Sequence, residues 1–333
     1  MSDSLPPLHF LTASAEYTDY RPAIGPGGDV VIFERTPVGG GPITLCKITD
    51  LAAPDPVPFL SGASLPRFQT RPDFCWRTDR VAFNGRQTSN SPIIVWHVGA
   101  DGRNPARIDN TRGYVYPTWS RDGTLLVTEN QGPAASPNPS NTVFDLSGGV
   151  VYANINGTAM EGVDVFGGMP AVGQYNPPMI AFAGQPALKG WGGSTSPDPV
   201  YDQEKNYIFL NRFDQNGIFF SGPVEPEAPV KSFNPHYQGR APSFSPNGAT
   251  IAFESNRPIP GSSPGSSKGY AIYLCNVRGP YRTITQVTDP ALGAQHAKFF
   301  PSGTKLILCA NHPGGDPPTM GIAWVDISGL LKS

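Results

Sequence analysis

Residues able to do chemistry recur at two places in a repeated pattern along this 333-residue chain. Immediately ahead of successive apolar stretches stand Arg21, Arg71, Tyr116, Met169, Ala241 and His296, with Arg240 and Gln295 one position earlier. At the far ends of the stretches that follow stand Glu34, Glu129, Glu254, Asn311 and His312. Gathered at one opening, they make a polar, titratable ring. An imidazole beside carboxylates is an acid–base set, which makes His296, Glu254 and Glu129 the candidate catalytic residues. Guanidinium groups grip carboxylates or phosphates with paired hydrogen bonds, and aromatic rings stack on sugars or apolar bodies. Arg21, Arg71, Tyr116, Arg240, Trp191 and Tyr237 are therefore the candidate ligand-binding residues. The competing structural role is bridging between neighbouring units, for which Glu34/Arg35 and Glu254/Arg257 are placed. His97 and His9 fall inside strand-like segments and read as structural.

The elements that must position these residues come from an internal repeat. The clearest copy is APSFSPNGATIAFESNR from Ala241. RPAIGPGGDVVIFER (Arg21), RPDFCWRTDRVAFNGR (Arg71) and YPTWSRDGTLLVTEN (Tyr116) align with it, as do MPAVGQYNPPMIAFAGQ (Met169) and HAKFFPSGTKLILCAN (His296). Each copy gives a strand, a tight Asn/Asp-Gly-like turn and a second strand. A third strand follows in PITLCKI (Pro42), PIIVWHV (Pro92), VVYANI (Val150), YIFLNRF (Tyr207), YAIYLCNV (Tyr270) and MGIAWVDI (Met320). Fourth strands are VPFLS (Val57), ARIDN (Ala106), VDVF (Val163), APVKSF (Ala228) and ITQVTD (Ile284). The sixth copy lacks one, and the N-terminal LHFLTAS (Leu8) is the segment to supply it, closing a ring and hiding its edges.

The expected fold is therefore an all-β, six-bladed β-propeller in one domain, with blades near 20–62, 67–111, 114–167, 168–234, 240–290 and 295–329 plus 8–14. Its 38 Gly and 38 Pro suit many short strands joined by turns. The repeat, above all PSFSPNGATIAFESNR and PTWSRDGTLLVTEN with a following Tyr-x-Ile-Tyr strand, resembles that of the TolB-like propellers. The same repeat occurs in propellers of prolyl-oligopeptidase type and in oligogalacturonate lyases. The resemblance spans the chain and implies fold rather than activity, since such propellers serve as scaffolds, receptors and enzymes.

Composition narrows the partners. A formal net charge of −2 offers no general attraction to nucleic acid or to an anionic membrane. No apolar run reaches membrane-spanning length, and the N-terminus lacks a signal-peptide pattern. Four cysteines at 46, 75, 275 and 309 show no Cys-x-x-Cys spacing and read as free thiols. Together with the missing signal they point to the cytoplasm, whereas the resemblance points to an exported mature form. No Gly-x-Ser-x-Gly elbow accompanies the repeat, which sets the peptidase branch aside. No His-x-His pair or Asp-rich loop specifies a metal, so neither the lyases' divalent ion nor a channel calcium is assigned.

Propeller topology places the ring of candidate residues on the rim that carries the loops between second and third strands. Those loops are long at 131–140, 184–205, 256–268 and 311–319, and the one holding Trp191 and Tyr201 is a candidate lid. The reading that follows is a monomeric binding scaffold taking a small anionic or sugar-like ligand, or a protein segment, at the channel mouth. The alternative is a lyase or hydrolase using His296 there.

Overall fold

The computed structural model describes residues 4–60, 62, 65–119, 123–130, 140–145, 147–155, 163–166, 179–184, 207–214, 217–223, 239–256, 269–276, 284–314 and 319–331. Every sheet in them is antiparallel and four-stranded. β1 (His9–Phe10) comes first in the chain and pairs last. The first sheet holds β2 (Tyr17–Ile24), β3 (Val31–Pro37), β4 (Thr44–Ile48) and β5 (Val57–Pro58). The second holds β6 (Phe68–Cys75), β7 (Arg80–Arg86), β8 (Ile94–Gly99) and β9 (Ala106–Ile108), and the third β10 (Tyr114–Trp119), β11 (Leu125–Asn130), β12 (Ser140–Asp145) and β13 (Val150–Ile155). The fourth holds β14 (Val163–Phe166), β15 (Met179–Gly184), β16 (Tyr207–Asp214) and β17 (Gly217–Pro223), of which only the backbone pairing is described. The fifth holds β18 (Gly239–Phe244), β19 (Thr250–Ser255), β20 (Ala271–Asn276) and β21 (Ile284–Gln286). The last holds β22 (Gln295–Phe299), β23 (Lys305–Asn311) and β24 (Met320–Asp326), completed by β1 through His9 opposite Trp324 and Phe10 opposite Ala323.

The first strand of each sheet, β2, β6, β10, β14, β18 and β22, neighbours the next, and β22 returns to β2. The sheets thus stand around a central axis as propeller blades, each covered on both faces. That cover explains why second strands are continuously apolar instead of alternating. In β3, Phe33 packs with Ile307 and Ile322 of the last sheet, while Ile32 packs with Phe74, Val81 and Phe83 of the second. Successive side chains of one strand therefore fill the gaps on opposite sides.

The turn between first and second strands shows how the repeat folds locally. In SPNG, the Ser245 N–H donates to the Thr250 carbonyl at 2.8 Å, Asn247 Oδ1 accepts from Ala249 N at 3.0 Å, and Gly248 takes φ +65°. Only glycine enters that left-handed conformation without a Cβ penalty.

Two expectations from the sequence are corrected. VVYANI is the fourth strand of its sheet, because β12 (SNTVFD) precedes it as the third. Asp145 ends β12 by accepting from the N–H groups of Ser147 and Gly149, both at 2.8 Å. It thereby caps a tight hairpin that the polar start of SNTVFD had hidden. VDVF, expected as a fourth strand, is instead the first strand of the fourth sheet, which runs Val163 to Pro223 in place of 168–234. Of the copy from Met169, MIAFAG forms β15, the second strand of its sheet as expected, whereas its start at 169–178 and the segment from Ala228 lie outside the described residues. All four cysteines are free and buried.

Candidate functional site

The residues expected just before the first strands lie inside them, at a bulge shared by five sheets. Opposite β3, the register passes from Tyr20–Glu34 to Ala23–Ile32, so three steps on the inner strand meet two on its partner. The same slip occurs at Thr70/Asp73, Val115/Thr118, Arg240/Ser243 and Gln295/Lys298. At each extra residue the backbone turns left-handed: φ is +45° at Arg21, +55° at Arg71, +54° at Tyr116, +45° at Ala241 and +52° at His296. Such angles are uncommon without glycine and cost of the order of 1–3 kcal/mol each. Four of the five are followed by proline, which has no N–H to leave unpaired at a bulge.

A latch from the preceding sheet holds the bulges at Arg21, Arg71, Tyr116 and His296. Glu34 Oε1 accepts the Arg71 backbone N–H at 2.6 Å, Asn84 Oδ1 that of Tyr116 at 3.0 Å, and Glu254 Oε2 that of His296 at 2.7 Å. Glu34, Asn84 and Glu254 occupy one register position, opposite the residue just before the bulge. Cys309 occupies it in the last sheet, opposite Gln295, where its thiol receives the Arg21 backbone N–H. Burial pushes that thiol well above its ordinary range, and the nearby Glu254 and Glu34 charges add to the rise.

The bulges aim five equivalent positions at the axis, where a cavity is lined by Arg21, Arg71, Tyr116, Ala241 and His296 together with their followers, including Asp73 and Lys298. Arg21 is bound to Glu34 at 3.0 Å. Burial works against its charge, but Glu34, Tyr116 and Tyr20 outweigh it and keep the guanidinium firmly protonated. Arg240 is bound to Glu254 at 2.8 Å and reaches Gln295 Oε1 at 3.2 Å. Lys298 meets Asp73 at 3.4 Å, joining the last sheet to the second. Arg71 stacks on Tyr116, 4.2 Å from the ring centre. Among the described residues it meets no carboxylate, and its Nε–H is buried without an acceptor.

His296 is 8% exposed and meets the Tyr20 ring edge to face at 4.6 Å. Burial, and then the charges of Arg21, Arg240, Arg71 and Lys298, press its pKa well below the ordinary histidine range. The imidazole is therefore neutral at pH 7. Tyr20, which donates to Gln295 Oε1 at 2.5 Å, is pushed far above the usual phenol range, chiefly by burial.

Of the residues singled out from sequence, Arg21, Arg71, Tyr116 and His296 meet at the axis, with Arg240 and Glu254 directly behind His296. Glu254 is fully buried. Glu129 stands opposite Val115 in β11, at the register position of the latches, and its side chain lies outside the described residues, as do Trp191 and Tyr237. Arg35 pairs with Asp19 at 2.7 Å and leaves Glu34 to Arg21. Sequence reasoning passed over Asn84, Asp73, Lys298 and Tyr20. Asn84 carried a signal, since VAFN aligns with VIFE and IAFE in the other copies.

No protein-family model and no curated protein sequence matches the chain. Solved structures do. TolB from Acinetobacter baumannii superimposes with a TM-score of 0.50 at 16% identity over 93% of this chain and 63% of that one. An oligogalacturonate lyase in complex with manganese gives 0.52 at 12% identity over 97% and 94%. The oligogalacturonate lyase of Vibrio parahaemolyticus gives 0.50 at 13% identity over 99% and 96%. The fold is that of a TolB-like β-propeller. The chain spans somewhat less than two thirds of the TolB chain. Identities this low carry the fold and leave activity to be argued from the site.

In this TolB-like propeller the described mouth offers a metal ion little. The only mouth histidine among the described residues is His296, set beneath four cationic side chains that oppose a further positive charge. No described group of three or more His, Cys, Asp or Glu gathers as a metal site. No described helix is long and apolar enough to cross a membrane.

Proposed function

We propose that this chain is a six-bladed, TolB-like binding propeller that captures an anionic ligand at its channel mouth and performs no chemistry on it. One observation carries the reading: the described acids at the mouth are committed to latching the blades, while the Arg71 guanidinium has no acidic partner among the described residues. A general acid or base must exchange protons with its substrate at working pH. Glu254 is enclosed and bound to Arg240 and to the His296 backbone, and the His296 imidazole is neutral and nearly enclosed. A part-buried arginine stacked on Tyr116 suits recognition instead, because its rigid fork binds a carboxylate or phosphate at two points.

The test is a panel of organic acids, acidic sugars and peptides screened by thermal shift against the parent protein and Arg71→Ala, with product analysis on every mixture. Stabilisation by at least one anion, lost in Arg71→Ala and without new products, is expected. Turnover that His296→Ala abolishes would overturn the reading in favour of a lyase or hydrolase.

A further inference from the structure

Arg71 borders two cavities. One is the axial cavity; the other, of about 210 Å³, lies between the first and second sheets and is lined by Arg21, Ile43, Phe68, Thr70, Arg71, Asn84, Gly85, Arg86 and Ile93. It opens where β6 begins and β7 ends, on the rim that bears the loops between second and third strands. Its charge is one-sided: three arginines reach it, and among the described residues no carboxylate lines it.

The three arginines differ in how far they are committed. Arg21 spends one Nη on Glu34 and keeps a buried Nε–H without an acceptor. Arg71 has the same buried, unanswered Nε–H and no carboxylate among the described residues. Arg86 donates to the Ser89 carbonyl at 2.9 Å, meets no carboxylate among the described residues, and lies over the Phe68 ring at 5.2 Å. Buried donors left without acceptors cost roughly 1–3 kcal/mol each, a cost that an incoming acceptor removes. Ile43, Phe68 and Ile93 give the same pocket an apolar wall, with Phe68 beneath Arg86, and Asn84 is already committed to Tyr114 and Tyr116. A bare phosphate would meet the charge and waste the wall.

We infer that this pocket between the first and second sheets binds a small organic carboxylate, its carboxylate on Arg71 and Arg86 and its flat apolar body against Phe68, Ile43 and Ile93. The pocket is smaller than the roughly 300–1,000 Å³ of clefts for drug-sized ligands, which sets the size of the acid. The inference rests on the anion-binding reading above and adds the place and class of ligand.

The experiment titrates benzoate, benzamide and inorganic phosphate into the full chain by isothermal titration calorimetry, with Arg71→Lys, Arg86→Ala and Ile93→Ala as variants. Arg86 lies away from the latches, so its loss leaves the fold intact, and Arg71→Lys keeps the charge while removing the two-point fork. Saturable benzoate binding is expected, with benzamide and phosphate each at least about tenfold weaker and affinity falling by about tenfold in Arg71→Lys and Arg86→Ala. Benzamide binding as well as benzoate, or phosphate competing as an equal, would overturn the assigned class. Benzoate affinity lost in Arg71→Lys but unchanged in Arg86→Ala and Ile93→Ala would put the anion on the axis, ending this inference and leaving the binding reading intact. No effect of Arg71→Lys, or no benzoate binding, would end this inference, and no stabilising anion in the wider panel would end the binding reading as well.

Discussion

Glu254 on β19 accepts the backbone N–H of His296 on β22 at 2.7 Å, and so couples one blade to the left-handed bulge of the next. The same carboxylate neutralises Arg240 at 2.8 Å. Removing one partner of a buried pair leaves an uncompensated charge and costs about 3–5 kcal/mol. Glu254→Ala should therefore lose about 3 kcal/mol or more in urea denaturation, and Glu254→Gln less, because its amide oxygen still accepts from His296. A loss under 1 kcal/mol for the alanine variant would show that the latch contributes little.

The neutral state of His296 gives a signed pH dependence. Its folded pKa is depressed by burial and by Arg21, Arg240, Arg71 and Lys298, while Glu254 and Tyr20 also face it. Below its ordinary pKa of 6.5 the unfolded chain binds a proton that the folded chain refuses. Stability should fall as pH drops from about 7, by up to about 1.4 kcal/mol per unit from this group. In His296→Gln that part of the slope should vanish. An unchanged pH profile in denaturation between pH 7.5 and 5 would show that the imidazole takes its proton in the folded state.

How the ring of Arg21, Arg71, Tyr116, Ala241 and His296 converges was legible, because a repeat places equivalent residues at equivalent points around an axis. Their left-handed backbone was not. A residue before proline reads as an extended strand start, and nothing local in Arg-Pro or Tyr-Pro announces a bulge supported by a neighbouring blade. In the sequence Glu254 fits an acid of a reactive mouth, and Glu34 and Glu254 both fit bridges to adjacent arginines. What settles their geometry is a backbone N–H on another sheet, 37 residues away for Glu34 and 42 for Glu254. The slip over β12 has a different cause: SNTVFD begins too polar to stand out, and its hairpin depends on the Asp145 side chain.

Asp73 and Lys298 join blades that are not adjacent, yet their value differs by partner. Lys298 is 24% exposed, so the ion pair itself contributes about 0–1 kcal/mol. Asp73 also accepts the Trp119 backbone N–H at 2.9 Å. Lys298→Met should shift stability by about 1 kcal/mol or less, whereas Asp73→Ala should cost about 1–3 kcal/mol by orphaning a buried donor. A double-mutant cycle checks this, and equal losses from the two single variants would contradict it.

Asn84 tests why the latch position holds an amide in the second sheet. Its Oδ1 accepts from Tyr116 N at 3.0 Å, and its Nδ2 donates to the Tyr114 carbonyl at 3.0 Å, so both ends are used. A carboxylate there would serve Tyr116 and turn its second oxygen against the Tyr114 carbonyl. Asn84→Asp should thus destabilise by about 1–3 kcal/mol at pH 7. The site favours the protonated acid, whose O–H restores the donor to Tyr114, which raises the folded pKa of the new carboxyl above its unfolded value. Above that folded pKa the penalty is complete; as pH falls through it, the penalty should shrink. Denaturation of Asn84→Asp at pH 7 and pH 4.5, each against the parent protein, measures the difference, and a penalty that grows on acidification would rule out this arrangement of donor and acceptor.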